Sequence, residues 1–325
     1  MKIIVLFGGF STEREISFKT AESVYNTLQK KYNTIAIDTA YPDKKIDDFS
    51  YVKSDKPCAS HIKNLIKRIE DETPDRIFLA LHGNEGENGQ FQAVLELCNI
   101  QFYSSKSRAS ALSMDKYRSK IVIEKAEITT AKSVFINKEM MKDKDHVRSL
   151  TSDFQFPFVF KANAQGSSVG VFILRSMDEF DKAYESILKL EDDAVLEKFI
   201  KGRELSVPVL KNRALTPVEI APKSGFYDYE NKYSDGKTDH YCPARISEED
   251  LSFVKGLALR AHQEIGCEGY SRVDFIHGED GKFYFLEINS LPGMTKLSLL
   301  PESANYEGIS FIELLEQILD IEKDK

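Results

Sequence analysis

The stretch YSRVDFIHGEDGKFYFLEINSLPGMTKLSLLP, residues 270–301, decides the fold around it. Apolar and polar residues alternate with a period of two on both sides of Gly-Glu-Asp-Gly, which predicts two short strands joined by a tight turn. The same period sorts the side chains by face. Arg272 and Asp274 share one face of the first strand, with Val273 and Phe275 on the other. Glu287 and Asn289 share a face of the second, with Leu286 and Ile288 pointing away. Pairing Asp274 with Glu287 leaves 279–282 as the turn and gathers two carboxylates, an amide oxygen and a guanidinium on one side. Carboxylates that close repel unless a cation lies between them. Hard oxygen donors in this number suit Mg²⁺ shared with substrate phosphates, with Arg272 as a phosphate clamp. On spacing alone the favoured reading is a plain hairpin with one solvated face and one core face. The Ser-Leu-Pro-Gly-Met-Thr turn that follows favours a site, because Gly293 lets a backbone approach a ligand closely.

Composition narrows the function classes. The chain has 325 residues, 42% hydrophobic and 30% charged, which predicts a globular protein of two or three domains. Its 44 basic and 52 acidic residues give a net charge of -8, and no basic run stands out, so nucleic acid is not an expected partner. Cys58, Cys98, Cys242 and Cys267 are too dispersed for a zinc site or a disulfide framework, and a reducing cytoplasm fits them. The apolar run 1–7 is too short for a signal peptide, and no run is long enough to span a bilayer.

Lys2 to Phe7 reads as a buried strand, Gly8 to Ser11 as a turn, and the residues from Thr12 as a helix burying Ile16, Ala21, Val24 and Leu28. Strand, glycine turn and helix open a parallel α/β sheet. Glu13 then stands at a helix N-terminus, either to hold a cationic group such as an amine or simply to complement the helix dipole. The next units are a strand around 35–41, a helix over 61–70 and a strand over 76–83. The last ends in a flexible acidic loop that carries His82, Glu85 and Glu87 and should neighbour the 11–13 turn. His82 is structural or functional there. One helix is predicted from Arg108 through Ala126. Strands at 158–161 and 171–174 flank Ala-Asn-Ala-Gln-Gly-Ser-Ser-Val-Gly, a flap able to cover a polyphosphate or a plain mobile hairpin; Lys161 stands at its edge. Glu197 and the backbone of 198–200 suit an adenine edge. The Tyr-rich stretch 223–244 reads as a lid, and helices over 251–266 and 311–319 complete the pattern.

Eight motifs, in order, carry a resemblance: GGFSTEREIS, ALHGNEGENGQFQ, ALSMDKYRSK, FKANAQGSSVG, LEKFIKGRELSV, FYDYENKYSDGKTDHYCPA, GYSRVDF and LEINSLPGMTKLSLLP. Together they resemble the D-alanine:D-alanine ligase family of the ATP-grasp superfamily over nearly the whole chain. The resemblance implies an α/β, three-domain ATP-grasp fold: an N-terminal parallel-sheet domain (1–104), a central subdomain with the flap (105–194), and a C-terminal domain with the metal hairpin and lid (195–325). It implies a cytoplasmic homodimer that uses ATP and two Mg²⁺ or Mn²⁺ ions to join two D-alanines through an acyl phosphate.

By position, the resemblance gives Glu13 the ammonium of the first amino acid and His82 a place near its carboxylate. Lys116, Lys161, Ser167 and Ser168 go to the phosphates, and Glu197, Lys198, Ile200 and Glu204 to adenine and ribose. Asp274, Glu287 and Asn289 become metal ligands, and Arg272 stabilises the transferring phosphoryl group and the oxyanion. Gly293, Ser298 and Leu299 line the second amino-acid subsite. Lys232 and Tyr233 belong to the lid, where a tyrosine accompanies dipeptide rather than depsipeptide formation. Asn88 replaces a common Asp, the run 162–165 lacks the usual acidic end, and Lys296 and Leu297 replace smaller or polar residues. The alternatives are an ATP-grasp ligase for other amino or hydroxy acids, and a nucleotide-binding regulator without turnover. The second would be expected to lack one of Arg272, Asp274, Glu287 or Asn289, and all four are present.

Overall fold

The structure, a computed structural model, describes residues 1–46, 48–54, 57–222, 238–295 and 298–321. Among these residues it contains three sheets. The first is parallel, in the order β2-β1-β3, from β1 (Lys2–Phe7), β2 (Asn33–Asp38) and β3 (Arg76–Leu79). The β1 residues Ile3 to Phe7 are wholly buried, as a continuous apolar strand covered on both faces requires. The Arg14–Leu28 helix lies against it through Ala21, Val24 and Leu28, and Ile16, the fourth residue of the predicted stripe, is buried as well, on a cavity wall. Full burial of each large apolar side chain contributes about 1.5–3 kcal/mol.

The second sheet is antiparallel, β4-β7-β5-β6, from β4 (Ser133–Ile136), β5 (Phe158–Ala162), β6 (Val171–Leu174) and β7 (Ala194–Lys198). The Phe180–Leu188 helix covers it, stacking Phe180 on Phe160 at 5.9 Å between ring centres. The third sheet takes β8 (Gly202–Leu210), β9 (Arg213–Ala214), β10 (Val218–Pro222), β11 (Thr238–Tyr241), β12 (Tyr270–Gly278) and β13 (Phe283–Asn289). Its order is β11-β10-β8-β12-β13, with β9 paired to β8. The Glu248–Ile265 helix packs on it, opened by a Ser247 hydroxyl that accepts from the Asp250 N–H and closed by Gly266 in the left-handed region.

The opening hairpin has the expected register: Asp274 faces Glu287, Arg272 faces Asn289, and 279–282 form the turn. One detail differs. A bulge shifts the register between Asp274 and Phe275, so Phe275 pairs with Phe285 and Leu286 is the extra residue. Leu286 therefore does not point away with Ile288. It lines a cavity beside Tyr284, while Ile288 is buried in the core.

Two further expectations change. The helix predicted over 108–126 is two helices, Ser107–Met114 and Lys116–Lys125, broken at Asp115. The Asp115 carboxylate accepts from the Arg118 N–H at 2.8 Å, so an acidic residue inside a helical pattern acts as a cap. The acidic loop after β3 contains a helical turn, Asn84–Glu87, with Gly86 and Glu87 buried. Residues 199–201 link β7 to β8, which begins at Gly202.

The cores do not follow chain order. β7 sits inside the second sheet, across the expected 194/195 boundary, because it pairs with both β4 and β5. Ile123 and Ile128 join the core of the third sheet although they fall in the 105–194 span. Leu300, Ala304, Leu314, Leu315 and Ile318 return to the core of the first sheet. The apolar faces of the late helices Leu299–Tyr306 and Phe311–Ile318 are thus buried against the earliest strands.

Candidate active site

Three walls meet at two cavities. The first sheet contributes Glu13, at the N-cap position of the Arg14–Leu28 helix and buried. Its N–H donates to Ser11 Oγ at 3.1 Å, and the Ser11 hydroxyl donates to the His82 carbonyl at 2.5 Å, so the 11–13 turn and the loop after β3 are neighbours as expected. The Phe10 N–H donates to Glu85 Oε1 at 2.6 Å, a second tie between them. The buried His82 ring lies between Thr20 Oγ1 at 2.9 Å and Glu87 Oε1 at 3.2 Å, which fixes its orientation.

The second wall is the 163–170 flap between β5 and β6. Ser167 and Ser168 both adopt positive φ, +49° and +61°, a strained arrangement for residues with side chains. Ser167 donates to Glu13 Oε2 at 2.5 Å, and a Cβ on Gly166 would lie 2.4 Å from Glu13 Oε1. A larger residue there would push the Glu13 carboxylate aside. Buried Asn163 organises the flap's root: its Oδ1 accepts from the Tyr117 N–H at 2.9 Å and its carbonyl from the Lys116 N–H at 3.2 Å. It holds the first turn of the Lys116–Lys125 helix and so aims Lys116, whose ammonium donates to the Gln165 carbonyl at 2.6 Å.

The hairpin is the third wall. Arg272 grips Asp274 with Nη2 to Oδ2 at 2.7 Å and Nε to Oδ1 at 3.0 Å, and the Ser206 hydroxyl donates to the same Oδ1 at 2.7 Å. Asp274 is buried behind Arg272. Asn289 Oδ1 accepts from the Leu291 N–H at 2.9 Å, which sets the start of the following turn. In that turn Gly293 leaves room for a neighbour from its own chain: a Cβ there would lie 2.8 Å from Ser298 Oγ. Ser298 stands at the N-cap position of the Leu299–Tyr306 helix, and its hydroxyl accepts from the Thr295 N–H at 3.0 Å instead of from the helix.

A cavity of about 390 Å³ is lined by Glu13, His82, Ser167, Arg272, Glu287, Asn289, Gly293, Ser298 and Leu299. A narrower one of about 100 Å³ is lined by Lys161, Ser168, Glu197, Lys198, Ile200 and Glu204, with apolar Val159, Ile173, Ile276 and Leu286. Lys116, Gln165 and Glu287 line both, and the Lys116 ammonium lies 3.4 Å from Glu287 Oε2. Lys198, the last residue of β7, and Phe199 and Ile200 of the 199–201 linker line the narrow cavity.

Of the residues expected here, all described ones except Asp274 line a cavity, and Asp274 stands directly behind Arg272. Lys232, Tyr233 and most of the expected lid, together with Lys296 and Leu297, lie outside the described residues. Two roles look different in three dimensions. The Glu197 oxygens, expected at an adenine edge, are engaged by Lys120 and by Lys161 at 2.9 Å. Lys161, expected to point at phosphates, is held by that same carboxylate. Burial works against the Glu197 charge, yet the two ammonium groups beside it bring its pKa down to about 2. Burial pushes Lys120 down to about 8 against the pull of Glu197. Lys120, Gln165, Asn163 and Ser206 were missed by the sequence reading. Lys120 had a signal, since it lies four residues after Lys116 on one helix face.

The donors around the hairpin are oxygens, from Asp274, Glu287 and Asn289, and Asp274 and Glu287 are direct cross-strand partners. Such a set fits a hard divalent cation. Among the described residues no cluster of three or more His, Cys, Asp or Glu forms a metal site of carboxylates, imidazoles and thiolates alone.

The family model described as D-ala D-ala ligase N-terminus matches residues 2–105, and the one described as D-ala D-ala ligase C-terminus matches 122–320. A D-alanine–D-alanine ligase of Geotalea uraniireducens is 39% identical over 320 residues, covering 98% of this chain and 94% of that one. The crystal structure of D-alanine–D-alanine ligase from Bacillus anthracis complexed with ATP superposes with a TM-score of 0.78 at 31% identity, covering 98% of this chain and 96% of the other. A D-Ala:D-Ser ligase from Enterococcus faecalis gives 0.79 at 27% identity, covering 98% of both chains. With both halves of the family matched in order along a fold of the same architecture, this chain belongs to the D-alanine–D-alanine ligase family.

Proposed function

We propose that the protein joins two D-alanines into D-alanyl-D-alanine, with ATP converted to ADP and phosphate, for peptidoglycan precursor synthesis. The observation that carries this reading is the pair of cavities sharing Lys116, Gln165 and Glu287 as a common wall. A nucleotide in the narrow cavity would bring its terminal phosphoryl group to that wall, facing an amino acid in the wider one.

A carboxylate resists attack by an amine because its leaving group is poor and its charge repels the nucleophile. Phosphorylation removes both obstacles. In this reading Glu13 holds the first D-alanine's ammonium, with His82 near its carboxylate. A carboxylate oxygen attacks the γ-phosphorus, ADP departs, and an acyl phosphate remains. The amine of the second D-alanine, beside Gly293, Ser298 and Leu299, attacks the acyl carbon and loses a proton, and phosphate leaves. Lys116, Lys161, Ser167, Ser168 and Arg272 offset the charge that builds up on phosphoryl and oxyanion oxygens. Lys198, Ile200 and Glu204 take the adenosine end, and Glu197, held by Lys120 and Lys161, stands behind it. Lys232 and Tyr233 belong to the lid that keeps water from the acyl phosphate.

Asp274, Glu287 and Asn289 would hold Mg²⁺ or Mn²⁺, two ions per site in this family reading. A bound divalent cation neutralises phosphate charge and orients the phosphates for in-line transfer. The reading also takes 1–104, 105–194 and 195–325 as its three units along the chain, a homodimer as the assembly and the cytoplasm as the location. Among the described residues no helix is long and apolar enough to cross a membrane.

The structural likeness to a D-Ala:D-Ser ligase supports one second reading, a different acceptor in the second subsite. Purified protein incubated with ATP, Mg²⁺ and a panel of D- and L-amino acids separates the two. D-alanine alone should release ADP and yield the homodipeptide by mass spectrometry. Turnover only when another acceptor is added would replace the first reading with the second.

A further inference from the structure

Four buried charged side chains line the narrow cavity, Lys116, Lys120, Lys161 and Glu197, and the last three touch one another. Glu197 Oε1 takes the Lys120 ammonium, and Oε2 takes Lys161 at 2.9 Å. Both carboxylate oxygens are thereby committed to lysines, and two ammonium groups share one carboxylate. Lys120, Lys161 and Glu197 together carry a net charge of one positive unit where solvent screens little; Glu287, whose charge also reaches Lys120, is matched by Lys116 at 3.4 Å. A buried uncompensated charge is costly unless something anionic completes it.

We propose that Lys120 is a positioning residue for nucleotide binding: it occupies Glu197 so that Lys161 keeps a surplus positive charge for the anionic polyphosphate entering the narrow cavity. Glu197 in this account is a bridge between two lysines. The adenine edge falls to backbone groups of Lys198 to Ile200, which line the same cavity. Without Lys120, Lys161 and Glu197 would form a neutral pair, and the ligand's phosphates would compete with Glu197 for a single ammonium. Lys120 has a second structural qualification. It lies one helical turn after Lys116, and Lys116 lines both cavities, so a single helix would present one lysine to the phosphates and another to the carboxylate behind them. The inference rests on the nucleotide half of the proposed function and not on the identity of the amino acids.

The test is ADP binding by titration calorimetry, in Mg²⁺, with folding checked by thermal melting. Lys120→Met should weaken ADP by about tenfold, the size of one lost charge-assisted contact. Lys120→Arg, which keeps the charge, should stay within about threefold of the parent. The deciding variant is the double change Lys120→Met with Glu197→Gln. It removes one positive and one negative charge, restores the surplus on Lys161, and should recover ADP affinity to within about threefold of the parent. A merely structural role for Lys120 makes the double variant no better than the single one, and that result overturns the proposal. Parent-like ADP affinity in a folded Lys120→Met protein overturns it too. Should Lys120→Met not fold, a weak double variant is still decisive against it. A protein that follows this pattern with ADP yet joins no D-alanine leaves the inference standing and removes the ligation reading.

Discussion

The Ser167 hydroxyl donates to Glu13 Oε2 at 2.5 Å across a sequence separation of 154 residues, fastening the flap of the second sheet to the leading helix of the first. This contact closes the wide cavity on one side and orients the carboxylate assigned to the first amino acid. Gly166 leaves room for the Glu13 carboxylate in this position, since a Cβ there would lie 2.4 Å from Glu13 Oε1.

Gly166→Ala should therefore displace the Glu13 carboxylate more than the nucleotide. We expect KM for D-alanine at the first subsite to rise about tenfold, about 1.4 kcal/mol of lost binding. KM for ATP should change by less than threefold. Steady-state kinetics with each substrate varied in turn provides the check, and an unchanged D-alanine KM would detach Glu13 from substrate binding.

Glu287 stands where the two cavities meet and faces Asp274 across the hairpin. Glu287→Gln keeps the size of the side chain but loses the charge that a divalent cation needs. Phosphate release should fall by at least about a thousandfold, as for loss of a group acting on transition-state charge. The melting temperature should hold. Undiminished phosphate release would remove Glu287 from the mechanism.

Arg14 and Asp38 form a bidentate pair, at 2.9 Å and 2.5 Å, inside the first sheet's core, with both residues buried. Asp38→Ala leaves the guanidinium without its carboxylate. The expected cost is about 3–5 kcal/mol in urea unfolding, because a buried charge loses its partner. A loss below about 1 kcal/mol would mean that the site admits water.

His262 is buried on the Glu248–Ile265 helix, 2.7 Å from Ser271 Oγ, and burial pushes its pKa down from 6.5 to about 4. Between those values the unfolded chain binds a proton that the folded chain refuses, so stability rises with pH through this window. The contribution is complete above about pH 6.5 and is lost as pH falls toward 4, amounting to about 3 kcal/mol. Urea midpoints from pH 7 to 4 should show this slope in the parent and a shallower one in His262→Gln.

The period-two alternation over 270–289 was enough to place Asp274 opposite Glu287 and Arg272 opposite Asn289, because a strand's side-chain direction is local geometry. It could not reveal the bulge at Leu286, which arises from pairing with a second strand. The break at Asp115 was legible in principle, since aspartate caps helices, but the apolar spacing on either side ran straight through it. Tyr233 and Lys232 were named from motif order alone, and they lie outside the described residues.

The sequence by itself determined most strands and helices, apart from the break at Asp115 and the Asn84–Glu87 turn, the face that most apolar stripes bury, and the order of motifs that marks the family. Periodicity and capping act within a few residues and are written in composition and spacing. Only the tertiary structure decided that Ser167 meets Glu13, that Lys120 shares Glu197 with Lys161, and that the last helices pack against the first strands. Those pairings depend on which buried faces find each other across long stretches of chain, and no local pattern encodes the choice.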